Sequence, residues 1–145
     1  MGCALSFEAE RVKRYLDANV FILAALSNEG RGRAAARILR ETINGTPAVT
    51  STITIDEVLW TIWKQTGERK TALQQAGRLF HLTNLSIAPL TSELSRLSLQ
   101  LLELNPSLKP RDAIHYATAL SLGIKTIVSD DSDFDKTTLK RQVLL

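Results

Sequence analysis

From Tyr15 onward, short apolar runs alternate with longer stretches whose apolar residues recur every three or four positions. A short run bounded by turn residues suits a strand buried on both faces, and the longer period suits an amphipathic helix. The first run, Tyr15-Leu16-Asp17-Ala18-Asn19-Val20-Phe21-Ile22, is broken by Asp17 and Asn19. It predicts a buried strand that ends at Asp17 and turns into a helix. Residues 30–43 predict a helix with Ala34, Ile38 and Leu39 on its apolar side and Arg33, Arg37 and Arg40 on another. Asn44-Gly45-Thr46-Pro47 is a turn cluster, and Ala48-Val49-Thr50 a brief strand. Ser51 or Thr52 caps the next helix, which runs to about Gln65 and stops at Gly67. Residues 68–82 predict another helix, with Leu73, Ala76, Leu79 and Phe80 turned inward.

Residues 85–90 then read as a strand, and Thr91 or Ser92 caps a helix that Asn105-Pro106 ends after Leu104. Pro110 suits the first turn of a helix over 110–122, closed by Gly123. Residues 124–128 predict a strand, and Val143–Leu145 a last short one. Strands alternating with helices indicate an α/β fold in three layers, with helices on both faces of a mostly parallel central sheet. In such sheets the ligand site lies beyond the carboxyl ends of the strands.

With 145 residues, the length suits one domain. We place it at 14–145, behind an N-terminal extension of residues 1–13. Gly2 and Ser6 fit a myristoylation pattern with Cys3 beside it, but a plain extension is the preferred reading. No signal peptide is legible, and no apolar run reaches the roughly 18 residues that a membrane span needs, so a cytoplasmic location is expected. One cysteine excludes an internal disulfide and any multi-cysteine zinc site. With only two histidines, a metal would have to be held by oxygen, which points to Mg²⁺ or Mn²⁺. The net charge of +3 is compatible with a nucleic-acid partner.

The positions of the acids change the picture more than their number. Asp17 interrupts an apolar strand, where a carboxylate is costly unless paired. Glu57 lies in a helix among Ile53, Val58, Leu59, Trp60 and Ile62. Asp112 falls in the first turn of the helix opened by Pro110, and Asp130, Asp131, Asp133 and Asp135 follow the strand over 124–128. A parallel sheet brings most of these to one edge, where like charges raise each other's pKa and a divalent cation relieves the repulsion.

Four stretches carry a family resemblance: YLDANVFI (15–22), STITIDE (51–57), KPRDAIHYATAL (109–120) and SDDSDF (129–134). In this order and spacing, from about residue 14 to the end, the chain resembles the PIN-domain ribonucleases, most closely the VapC-type toxins of toxin–antitoxin pairs. The resemblance implies that Asp17, Glu57, Asp112 and Asp131 are the catalytic acids and hold one or two Mg²⁺ or Mn²⁺ ions. Asn19 and Ser129 would orient these ligands, and Asp133 would add an outer carboxylate. Motif spacing selects Glu57 over Asp56 and Asp131 over Asp130. The implied reaction is hydrolysis of RNA phosphodiester bonds to 5′-phosphate and 3′-hydroxyl ends, by water that the metal acidifies. The implied partners are RNA, a cognate DNA-binding antitoxin and a second copy of the chain as a homodimer.

With the four acids set aside, 18 cations face 11 anions. Arg33, Arg37 and Arg40, with Lys109, Arg111 and Lys136, are candidates to track phosphates, although an arginine stripe is as often a solvated helix face. His115, one turn after Asp112, is expected as a half-buried structural residue rather than one that binds RNA or orders the site. Trp60 and Trp63 are expected as core or dimer contacts. The D-x-D-x-D start of a calcium loop at 131–135 fails, because Lys136 stands where glycine is needed and Gln142 where a bidentate glutamate is needed. A haloacid-dehalogenase-type phosphatase fails at Asn19, which cannot titrate. A PIN nuclease of RNA maturation or quality control, and a silent PIN module that binds RNA or protein, remain the alternatives.

Overall fold

In the computed structural model, which describes residues 14–145, the first strand is β1 (Arg14–Leu16). The predicted extension over 1–13, with Gly2, Cys3 and Ser6, lies outside the described residues. Helix α1 (Ala18–Leu26) follows at once, because the Asp17 carboxylate accepts from the Ala18 N–H and caps it. Helix α2 (Gly30–Ile43) leads to β2 (Ala48–Ser51), and Ser51 caps α3 (Thr52–Thr66) by accepting from the Ile53 N–H. Gly67, at φ 71°, ends α3 in the left-handed conformation that glycine adopts without a Cβ clash. Helix α4 (Arg69–Arg78), a short 3₁₀ turn and β3 (Leu85–Ala88) come next. Thr91 caps α5 (Ser92–Leu104), Pro110 opens α6 (Pro110–Ser121), and β4 (Thr126–Val128), a 3₁₀ turn over Ser132–Lys136 and β5 (Lys140–Gln142) complete the order.

Among the described residues, five strands form one sheet in the order β3-β2-β1-β4-β5, with every pairing parallel. Side-chain alternation splits the core into two. Leu16, Ala48 and Val128 face α1 to α4, where Val20, Phe21, Ala35, Ile38, Val58, Ile62 and Ala72 are buried. Tyr15, Val49 and Ile127 face α5 and α6, with Leu101, Tyr116, Ala117 and Phe134. The expected three layers are therefore present, and no helix among the described residues is long and apolar enough to cross a membrane.

Four expectations are corrected. The last strand is Lys140–Gln142, paired with β4, and not Val143–Leu145. Its polar sequence sits at the sheet edge, where main-chain bonding rather than side-chain burial defines a strand. In α4 the inward residues are Ala72 and Ala76, followed by Leu79 beyond its end, while Leu73 and Phe80 are exposed. Alanines allow α4 to approach α3 closely, and that fixes which face turns in. Of the core or dimer role expected for Trp60 and Trp63, only the core half is corrected: both are exposed and pack edge to face, with Arg69 over the Trp63 ring. His115 is fully buried, not half-buried.

Candidate active site

Strand order reverses at β1, which has β2 on one side and β4 on the other. A crevice at the carboxyl ends of the strands forms at such a reversal. Asp17 leaves the end of β1 there, with its N–H donating to the Val128 carbonyl of β4 at 3.1 Å. Ser129 follows β4 directly. The Ser129 hydroxyl donates to Asp17 Oδ2 at 2.7 Å and accepts from the Asp131 N–H at 3.0 Å, so one buried serine joins two of the expected acids. Asn19 donates to Asp17 Oδ2 and accepts from the Asp130 N–H.

The carboxylates fall into two groups. A carboxylate oxygen from each of Asp112, Asp131 and Asp133 lies within 4.8 Å of the other two. Asp112 is half-buried on the first turn of α6, where it accepts from the Lys109 N–H at 3.2 Å. Asp131 caps the 3₁₀ turn by accepting from the Asp133 N–H at 2.9 Å, which draws Asp133 to the same opening. Asp133 was expected only as an outer residue; the turn places it within the trio. Asp17 and Glu57 instead flank His115: Nε2 lies 2.6 Å from Glu57 Oε1 and 3.4 Å from Asp17 Oδ1. The Tyr15 hydroxyl meets Nδ1 from below at 2.5 Å.

Electrostatics tie the groups together. Burial raises the Asp17 pKa, opposed by the His115 charge and the Ser129 hydrogen bond and reinforced by the charge of Glu57. Burial also raises Asp112, with the charges of Asp131 and Asp17 adding to it. Burial alone would lower His115, but its bond to Glu57 and the charges of Asp17, Glu57 and Asp112 prevail and raise it. Three oxygens spaced within 4.8 Å, all from carboxylates, match the ligands and spacing that a hard divalent cation takes, so the donor set fits such an ion.

The neighbouring acids are engaged elsewhere. Asp56 is exposed and pairs with Arg111, while Glu57 turns inward. Asp130 pairs with Arg31, while Asp131 faces Asp112. Arg33, Arg37 and Arg40 lie exposed on α2. His115 is the residue whose place at the site the sequence reading ranked below a structural role; its helical spacing from Asp112, one turn away, is the signal that pointed there.

Comparison with curated proteins returns no match. Among solved structures, Mycobacterium tuberculosis VapC20, described as a sarcin-ricin loop cleaving toxin, superposes with a TM-score of 0.77 at 16% identity, covering 88% of this chain and 97% of that one. VapBC2 from Rickettsia felis, bound to a DNA fragment from its promoter, gives 0.69 at 14% identity over 91% of this chain and 98% of that one. A toxin–antitoxin complex from Klebsiella pneumoniae gives 0.61 at 23% identity over 88% and 96%. These likenesses establish a shared fold. The family described as PIN domain matches residues 14–140, nearly the whole of the described chain, and the protein belongs to the PIN-domain family.

Proposed function

We propose that this chain is a divalent-metal-dependent ribonuclease that hydrolyses RNA phosphodiester bonds, and the toxin of a VapBC-type pair. The observation that carries this reading is the convergence of Asp112, Asp131 and Asp133 beside Asp17 and Glu57 at the strand reversal of a PIN domain. Asp17, Glu57, Asp112 and Asp131 would hold Mg²⁺ or Mn²⁺, with Asp133 adjoining. When bound, the cation supplies Lewis-acid charge against the developing charge of the phosphate and acidifies water for attack. Ser129 and Asn19 hold the Asp17 carboxylate in one rotamer, so the site is preorganised on the Asp17 side. Arg31 and Arg111, paired with Asp130 and Asp56 next in sequence to two of the acids, and Lys109 and Lys136, near Asp112 and Asp133 in sequence, would take the phosphates on either side of the scissile bond.

An antitoxin partner is part of this reading, supported by matched structures that are named as toxin–antitoxin or VapBC assemblies. A homodimer is part of it too, and the exposure of Trp60 and Trp63 in the single chain supports a surface for a second copy. The test is direct. Purified protein incubated with RNA should cut in Mg²⁺ or Mn²⁺ and stop in excess EDTA; full cutting in EDTA overturns the metal assignment. Growth arrest on expression, relieved by a DNA-binding protein encoded beside the gene, separates the toxin from a maturation nuclease.

A further inference from the structure

Beneath the acids lie two buried titratable side chains that hydrolysis leaves without a role, Tyr15 and His115. They belong to different elements, the central strand β1 and helix α6, and meet ring edge to ring face with centroids 5.5 Å apart. The Tyr15 hydroxyl bonds Nδ1 at 2.5 Å, and Nε2 reaches Glu57 Oε1 at 2.6 Å on the far side of the ring. A buried phenol keeps its proton, and it donates that proton to Nδ1 when the imidazole is neutral. The ring proton of the neutral imidazole must then sit on Nε2, and in the charged ring Nε2 carries a proton as well. Nε2–H therefore points at Glu57 in either state.

Without that donor, Glu57 on α3 would be a long flexible carboxylate facing another buried carboxylate, Asp17, and repelled by it. The Nε2–H bridges the two, closer to Glu57 and 3.4 Å from Asp17. We propose that Tyr15 and His115 form a positioning relay: the tyrosine locks the ring, and the ring aims Glu57, with Asp17 beside it, at the cation site shared with Asp112 and Asp131. Helix α6 thus supplies one acid directly and, one turn later, the donor that orients two others. The inference rests on the proposed metal-dependent cleavage.

The experiment measures Mn²⁺ binding to the purified full chain without RNA, by the electron-spin signal of free Mn²⁺, alongside RNA cutting and thermal unfolding. His115→Gln keeps an N–H at the reach of Nε2. His115→Asn places its amide at the reach of Nδ1, short of Glu57, while staying polar and buriable. His115→Asn should weaken Mn²⁺ binding by about tenfold or more, and His115→Gln should recover most of it. Tyr15→Phe, which keeps the ring volume, should cost a smaller factor of about threefold. Equal binding by the Asn and Gln variants overturns the relay, because packing alone would not separate them in this direction. Should His115→Asn fail to fold, wild-type affinity in Tyr15→Phe overturns it instead. Asp112→Asn keeps the two ideas distinguishable. Lost Mn²⁺ binding there with unchanged binding in His115→Asn defeats the relay alone; unchanged binding in Asp112→Asn defeats the metal reading and the relay with it.

Discussion

Asp17 and Asp112 share one cause for their raised pKa, burial, but are housed differently. Each Asp17 oxygen is occupied: Oδ1 accepts from the Ala18 N–H and faces His115, and Oδ2 accepts from Ser129 and Asn19. Asp112 has the single Lys109 N–H and otherwise faces Asp131 and Asp133. The floor of the site is thus held by the protein's own donors, whereas its rim gathers charge that those donors do not compensate. The floor is built for order. In the proposed function, the rim is where an external cation would sit.

The largest effect should separate the two. Asp112→Asn and Asp17→Asn should each lower RNA cutting by about a hundredfold to a thousandfold. Chemical unfolding should distinguish them: Asp17→Asn should cost about 1–3 kcal/mol, because an amide cannot accept all the donors there, while Asp112→Asn should cost little or stabilise by easing repulsion. Equal unfolding curves would erase the distinction between floor and rim.

A second prediction concerns pH. Asp17 and Asp112 are raised from their ordinary value of 3.8 and His115 from 6.5. A group with a raised folded-state pKa binds its proton more readily when folded, so its stabilisation is full below the unfolded value and lost as pH rises through the folded one. Metal-free protein in EDTA should therefore lose thermal stability as pH climbs from about 4 to about 8, and Mn²⁺ should restore it at the upper end. Asp135, lowered by Arg141, opposes this trend only below 3.8. A melting temperature that rises with pH across that range in EDTA would refute the assignment.

Ser129→Ala should have a smaller effect, about 1–3 kcal/mol in urea unfolding with reduced cutting, because it strips a donor from Asp17 and an acceptor from the Asp131 N–H. The smallest should come from Asp130→Asn. It removes the pair with the exposed Arg31, so stability should move by less than about 1 kcal/mol and cutting should persist. A loss of cutting matching that of Asp131→Asn would reverse the choice between these neighbours.

Where burial and main-chain chemistry are local, the sequence was legible. Asp17 and Ser51 announce helix starts, Gly67 and Gly123 helix ends, and the parallel sheet follows from the alternation of strands and helices. Lys140–Gln142 was hidden because an edge strand needs no apolar pattern, and Leu73 and Phe80 were misplaced because small alanines decide how closely α4 packs. At the site, the motifs singled out the acids as types at positions. Two things were not in them. The 3₁₀ turn that places Asp133 near Asp112 is capped by the bond from the Asp133 N–H to the Asp131 carboxylate. The burial of His115 depends on Tyr15, a hundred residues earlier in the chain.

The adjacency of β1 and β4 bears on how the chain is made. Tyr15 pairs with Ile127 and Leu16 with Val128, so the first strand is completed on that side only by one of the last to be synthesised. A nascent chain carries Asp17 and Glu57 long before Ser129 and Asp131 leave the ribosome, and until then no hydroxyl from β4 grips Asp17.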